Sequence, residues 1–549
     1  VYFAKGAGMQ KIRWWVASLL ALTFVIPAQA GQKIWDKKFQ DDIRYKKITD
    51  AGILLLMTDA GIVGVDPETG NELWSLPDLK KLKEEDIEYV AGSPLLMVSK
   101  TEGFVKKKGT LAAINTMDGK EAWKVDAIEG IIVGSNLALD HGIILLYVQN
   151  MMKGMRLDIM AFDMVNGALK YTVTPPEKME IKKYKTFKPP KAGKFSSKMI
   201  LQGNQEPVID GDYMYVYYDQ LRKIDLRDGK TVWVADTKKG GVPALQENYV
   251  QMVLRDGVIY TPYGKGLAAF DAGTGQLKWM SKPVATGHVT AMTFDGDRIY
   301  YKAGGYVEGV GNKAKLVTPS LGVVSMADGT MQWKKEYKIK GGCTNMIIEG
   351  DKIYVADSDN LRILNKMDGS ELNKKFKLGF REDDPNQLMR QEKGLIVRGN
   401  QNVALVDVNG SQETVVWHQG FKAPGAGMFA KLAMFAVSTM AYMQATSDAM
   451  NSYRGTFEND AANRRRQQAW SGFNQVMAMR FTASKTSDQY HYILTDLDDG
   501  AGIKGVNLKT GQADRDALLK DKQPDYEIDE IGGYVFNQRG DKEIEAFKF

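Results

Sequence analysis

The chain has 549 residues, 44% hydrophobic and 26% charged, which is a globular composition and far too long for one small core. Its 73 basic residues against 67 acidic ones leave a net charge of +6, too slight to mark a nucleic-acid-binding protein, so no nucleic-acid partner is expected. The single cysteine, Cys343, excludes an internal disulfide framework.

The first thirty residues read as an extension and a secretion signal. Lys11 and Arg13 follow Met9, Trp14 to Ile26 is apolar, and Ala28-Gln29-Ala30 offers the small residues of a cleavage site that would leave Gly31 first. The apolar run is shorter than the ~20 residues of a spanning helix, so a cleaved signal and a periplasmic or secreted protein are expected. A lipoprotein would carry cysteine where Gly31 stands, so none is expected.

From residue 31 one short grammar recurs. A strand ends in Asp or Asn, a polar turn with Gly follows, and a second strand carries tryptophan: "VDPETGNELW" (65–74), "INTMDGKEAW" (114–123), "IDLRDGKTVW" (224–233), "FDAGTGQLKW" (270–279) and "VSMADGTMQW" (324–333). "FDMVNGALKY" (162–171), "LNKMDGSELN" (364–373), "VDVNGSQETVVW" (406–417) and "VNLKTGQADR" (506–515) are variants. Gly70, Gly119, Gly229, Gly275 and Gly329 suit a turn closed by a left-handed residue. Further strands lie upstream of most copies, as in "DGDYMYVYY" (210–218) and "DGDRIYYKA" (295–303). Four short strands per unit, repeated at intervals of about 40–60 residues, is the pattern of a β-propeller blade.

Trp35, Trp74, Trp123, Trp233, Trp279, Trp333 and Trp417 occupy the same slot. Burying an indole of ~150–250 Å² at ~25 cal/mol/Å² gives roughly 4–6 kcal/mol as an upper bound, so these side chains read as packing between blades. Copies with Tyr171, Asn373 or Arg515 in the slot are expected to be weaker seams.

The chain ends complement each other. Residues 532–549 supply strands of a unit that stops before its tryptophan strand, and 31–39 supply an orphan tryptophan strand, so the ring is expected to close by sharing one blade. The expectation is an all-β propeller of about ten four-stranded blades, eight being the alternative. Its divisions are 1–30 extension and signal, 31–423 blades, 424–484 an inserted helical hairpin, and 485–549 the final blades closing with 31–39.

Two insertions interrupt the pattern. Between Glu177 and Lys198 lies a lysine-rich loop that includes Lys182, Lys183, Lys185 and Lys188, a candidate contact for an anionic surface or acidic partner. The segment 424–484 has helix-forming composition, with Met434 and Phe435 in its first half and Arg464, Arg465 and Arg466 in its second. These residues are candidate contacts for a partner or a membrane surface. His141, His288, His418 and His491 lack metal-ligand spacing, and "DLDDG" (496–500) lacks a full calcium-ligand series, so no metal residues are expected.

The repeated turn-and-tryptophan motif resembles the PQQ-like, or quinoprotein-like, β-propeller repeats over nearly the whole chain after residue 31. That family contains non-catalytic scaffolds of the BamB type, which serve outer-membrane assembly, and dehydrogenases that bind pyrroloquinoline quinone with calcium. The resemblance implies a protein-interaction scaffold in the cell envelope with an envelope or outer-membrane protein as partner, no cofactor and no catalytic residue. Its alternative is a quinone- and calcium-dependent alcohol or sugar dehydrogenase. The adjacent cysteines of methanol-dehydrogenase-like members are missing, Cys343 being alone. BamB-type members are lipoproteins of eight blades, and this chain departs from both features.

Overall fold

The computed structural model describes residues 29–424 and 489–549 apart from short stretches within them, of which 175–206 and 236–251 are the longest. The described residues form ten four-stranded sheets. The first blade runs from Ile43–Ile48 through Leu54–Thr58 and Ile62–Val65 to the tryptophan strand Glu72–Leu76. Its antiparallel order along the chain is repeated in blades 2 to 8.

The middle strands of each blade are buried on both faces, which explains their runs of Leu, Ile, Val and Ala. Leu54, Leu55, Leu56 and Met57 are all fully buried. Alternate side chains point to opposite neighbours. Thus Leu55 and Met57 pack with Leu96, Val98, Ala112 and Ile114 of blade 2, while Leu54 and Leu56 pack with Phe536, Ile544 and Ala546 of blade 10.

The hydrophobic core follows the ring. Separate clusters occupy the seams between blades 1 and 2, 2 and 3, 3 and 4, 4 and 5, and 5 and 6. Others fill those between 6 and 7, 7 and 8, 8 and 9, 9 and 10, and 10 and 1. Every blade is therefore packed on both sides, and no sheet face is left open along the circle.

Blade 10 is composite, as expected. Asp525–Asp529, Tyr534–Arg539 and Glu543–Lys548 are completed by Gln32–Lys38, with Lys33 opposite Phe547 and Trp35 opposite Ala546. Blade 9 shows a feature the sequence did not announce. Outside its own Tyr490–Leu497, Gly500–Asn507 and Ala513–Leu518, the pair Gln29–Ala30 adds in parallel, opposite Arg515 and Asp516. Cleavage after Ala30 would remove this short strand and leave Gly31, whose N–H donates to the Asp516 carbonyl at 2.6 Å.

Antiparallel order sorts the connections between two ends of the ring. Turns joining the first to the second strand, and the third to the fourth, open on one face. Turns joining the second to the third strand, and the crossings from one blade to the next, open on the other. The residues flanking 175–206 and 425–488 belong to blade-to-blade crossings, from blade 3 to 4 and from blade 8 to 9. Thr174, Pro207 and Pro424 therefore stand at the crossing face, whereas Gln489, whose carbonyl accepts from the Leu508 N–H as that of Asp212 does from Leu226, stands at the opposite face. The helices expected over 424–484 fall, from residue 425 onward, outside the described residues, as do Lys182, Lys183, Lys185, Lys188, Met434, Phe435 and Arg464 to Arg466.

Candidate interaction surface

The tryptophan slot has one geometry around the ring. Six of the seven slot indoles reach across their seam and donate Nε1–H to a carbonyl in the next blade's turn. Trp35 bonds Pro67 at 2.9 Å, Trp74 Thr116 at 3.2 Å, Trp123 Met164 at 2.8 Å and Trp233 Ala272 at 3.1 Å. Trp279 bonds Met326 at 2.8 Å and Trp333 bonds Lys366 at 3.2 Å. The turn glycine lies flat on the same ring. At Gly119, φ is +69° and an added Cβ would stand 2.5 Å from the Trp74 ring, so the position needs glycine for both conformation and space. Gly70, Gly229, Gly275 and Gly329 meet Trp35, Tyr171, Trp233 and Trp279 in the same way.

The variant slots differ from one another. Tyr171 fills the tryptophan's place, its hydroxyl donating to the Leu226 carbonyl at 2.9 Å. Trp417 lies against Gly511, but its Nε1 has no hydrogen-bond partner. Arg515 sits 3.9 Å over the Tyr490 ring and donates to the Tyr492 hydroxyl at 2.7 Å. Asn373 lies outside the described residues. All of these are packing arrangements within and between blades.

Polar chemistry gathers instead at the second-to-third-strand turn of blade 8, Gly399 to Gln401, on the crossing face. On one side Asp383, from the crossing between blades 7 and 8, accepts from the Gln401 N–H at 2.7 Å and from the Asn402 amide. The Asn402 amide oxygen accepts from His418 Nε2 at 3.1 Å, and His418 stacks on Phe380 with ring centres 5.6 Å apart. On the other side His491 Nε2 donates to the Gly399 carbonyl at 3.0 Å, and Gln401 donates to the Leu494 carbonyl at 3.2 Å. One turn is thereby held from blade 7 and from blade 9.

Burial moves both ionisable groups. Desolvation pushes the Asp383 carboxyl up to about 6, against the opposing pull of the Gln401 and Asn402 hydrogen bonds. Desolvation, with Arg398 nearby, pushes His491 down to about 4. Burial also lowers His418 and raises the Cys343 thiol. His141 bonds the Gly211 carbonyl at 2.6 Å on the opposite face. His288 lies in the crossing from blade 5 to blade 6.

Other buried charges serve the scaffold. Lys302 donates to the carbonyls of Cys343 and Thr344 at 3.0 and 3.3 Å, pinning the crossing from blade 6 to blade 7. Arg362 bridges Asp357 and Glu371 at 2.8 and 2.7 Å within blade 7. Among the described residues no three His, Cys, Asp or Glu side chains come together where a metal ion could be held. "DLDDG" forms the tight turn between Tyr490–Leu497 and Gly500–Asn507. Also among the described residues, no helix is long and apolar enough to cross a membrane.

Comparison with known proteins agrees with the repeat pattern. The family model described as outer membrane protein assembly factor BamB matches residues 16–127, 58–216, 107–372 and 218–445. The outer membrane protein assembly factor BamB of Taylorella asinigenitalis (strain MCE3) is 22% identical over 198 residues, covering 35% of this chain and 47% of that protein. The chain thus spans about half the length of the curated relative it matches. Among solved structures, BamB from Moraxella catarrhalis is 15% identical over 67% of this chain and 94% of its own, with a TM-score of 0.35. The quinohemoprotein alcohol dehydrogenase from Comamonas testosteroni is 14% identical over 69% and 72%, with a TM-score of 0.33. Likenesses this distant carry no argument about function.

Proposed function

The chain belongs to the outer membrane protein assembly factor BamB family, and from that premise we propose that it is a non-catalytic propeller scaffold of the bacterial cell envelope, holding an outer-membrane or envelope protein. The observation that carries this reading is the match of that family's model across the blades, from residue 16 to residue 445. The architecture supports it in a specific way. The crossings that begin after Thr174 and after Pro424 both start on one face of the ring, and segments carried on a rigid scaffold are where contacts are made. We assign partner binding to that face and export to the periplasm to the N-terminal signal, with outer-membrane assembly as the process served.

The test is affinity capture from envelope extracts with the full chain and with a variant in which a flexible linker long enough to cross the ring from Pro424 to Gln489 replaces 425–488, its folding checked by thermal unfolding. A defined envelope protein retained by the first and lost by the second is the expected result. Tight stoichiometric uptake of pyrroloquinoline quinone and calcium, with dye-linked alcohol oxidation, would overturn the scaffold reading in favour of a dehydrogenase.

A further inference from the structure

The outer rim of blades 5, 6 and 7 carries one sign of charge. In 279–288, 333–346 and 372–379, which follow the tryptophan slot, the sequence holds Lys282, Lys334, Lys335, Lys338 and Lys377 among its lysines and one acid, Glu336; the third stretch continues to blade 8 through Glu382, Asp383 and Asp384, of which Asp383 accepts hydrogen bonds from Gln401 and Asn402. The five named lysines are exposed, and among the described residues none makes an ion pair. Glu336 is turned inward, accepting from the Ser320 and Tyr301 hydroxyls at 2.9 and 3.4 Å, so it does not neutralise the rim.

Equivalent stretches elsewhere are mixed. The run after Trp35 contains Asp36, Asp41 and Asp42, and that after Trp74 contains Asp78, Glu84, Glu85 and Asp86. The basic stretches belong to neighbours. Trp279 bonds the Met326 carbonyl of blade 6 and Trp333 bonds the Lys366 carbonyl of blade 7, which sets the three outer strands side by side. Close in sequence to these lysines, Leu277 and Leu372 are 37% and 48% exposed.

From this arrangement we propose that the rim of blades 5 to 7 docks the propeller on an anionic phospholipid surface. The charge is spread over the outer segments of three blades and gathers at no described pocket. Its carriers are lysines, hydrated point charges on flexible stems, which suit diffuse headgroup charge better than the fixed fork of arginine suits a single carboxylate. Each lysine brought close to such a surface contributes attraction that falls off within a Debye length. This contact goes beyond the scaffold reading and uses none of the residues assigned to partner binding.

The experiment is co-sedimentation of the full chain with vesicles of phosphatidylcholine alone and of phosphatidylcholine with phosphatidylglycerol. Binding only to the anionic vesicles, released at about 0.5 M salt, is expected. The variant K282E/K334E/K335E/K338E/K377E should lose roughly a hundredfold in vesicle affinity, and its glutamine counterpart should lose less. The pair K393E/K509E, on exposed turns of the opposite face, should bind as the parent does. Unchanged thermal unfolding identifies variants that still fold. The proposal is overturned if the parent ignores anionic vesicles, if the folded five-site variant binds as well as the parent, or if soluble polyglutamate competes as strongly as the vesicles, which would mark the rim as a site for an acidic protein.

Discussion

The indole of Trp35 donates to the Pro67 carbonyl, 2.9 Å away, across the seam where the shared tenth blade meets the first. The tenth blade thus meets the first through the same bond that joins blades elsewhere, and the two chain ends meet inside the tenth blade, where Trp35 lies opposite Ala546 and 6.1 Å from Phe536 in ring-centre distance. The chain runs from Gln32–Lys38 directly into Ile43–Ile48 of the first blade, so the non-covalent closure is the ladder between Gln32–Lys38 and Glu543–Lys548 inside the tenth blade.

Removing that indole should loosen the strand that completes the tenth blade. Trp35→Ala is expected to cost about 3–5 kcal/mol, and Trp35→Phe, which keeps a ring but loses the bond, about 1–2 kcal/mol. Chemical denaturation measures both, and hydrogen exchange should show Gln32–Lys38 losing protection first. Equal protection in parent and variant would mean the closing strand is held by its backbone ladder alone.

Glycines at positive φ separate conformational from steric demand. Gly211 has φ +53° and open space around an added Cβ, so Gly211→Ala should cost about 1 kcal/mol for the left-handed backbone alone. Gly119→Ala has a similar φ and also drives Cβ into the Trp74 ring, so it should cost at least about twice as much. Thermal unfolding of the two variants gives the comparison, and equal losses would show that Trp74 yields freely.

Asp383 and His491 should give opposing pH slopes. The Asp383 carboxyl titrates at about 6 in the folded chain, above the ordinary 3.8, so the native state takes up a proton first and stability falls as pH rises from about 4 to about 6. His491 is pushed down to about 4 from 6.5, so its contribution is full above 6.5 and is lost as pH falls toward 4. In the parent the two partly cancel. Asp383→Asn removes the falling limb, so the variant's stability relative to the parent should increase by up to about 3 kcal/mol between pH 4 and pH 7. Denaturant titrations at several pH values measure this, and parallel curves would count against the assignment.

Cys343 is buried and its thiol is pushed up by desolvation. An alkylating reagent at pH 8 should leave the native protein unmodified and label it stoichiometrically in denaturant, as mass spectrometry would show. Fast native labelling would mean that the crossing held by Lys302 opens readily.

Much of this could be read along the chain because a blade's turn chemistry is local. Asp66, followed by a polar turn and Gly70, announces a hairpin whatever surrounds it, and Asp66 Oδ1 indeed accepts from the Glu68 N–H at 2.8 Å. The count of ten blades and the sharing of the last one followed from counting such turns. The acceptor of each indole was not legible, because Pro67 and Trp35 meet only when two blades pack. Tyr171 was expected to weaken its seam, yet its hydroxyl reaches the Leu226 carbonyl as an indole would. The pairing of Asp383 and His491 on one turn could not be found either, since they lie in separate blades and neither carries a motif.

What the sequence determined by itself was the repeating unit, its ring closure and its family, since periodic apolar strands and glycine turns encode a blade through contacts between near neighbours. Only the tertiary structure decided which turn each indole grips, which ionisable groups become buried, and that lysines from three separate blades share one rim. Those properties arise from desolvation and proximity between residues far apart in the chain, and no local pattern carries them.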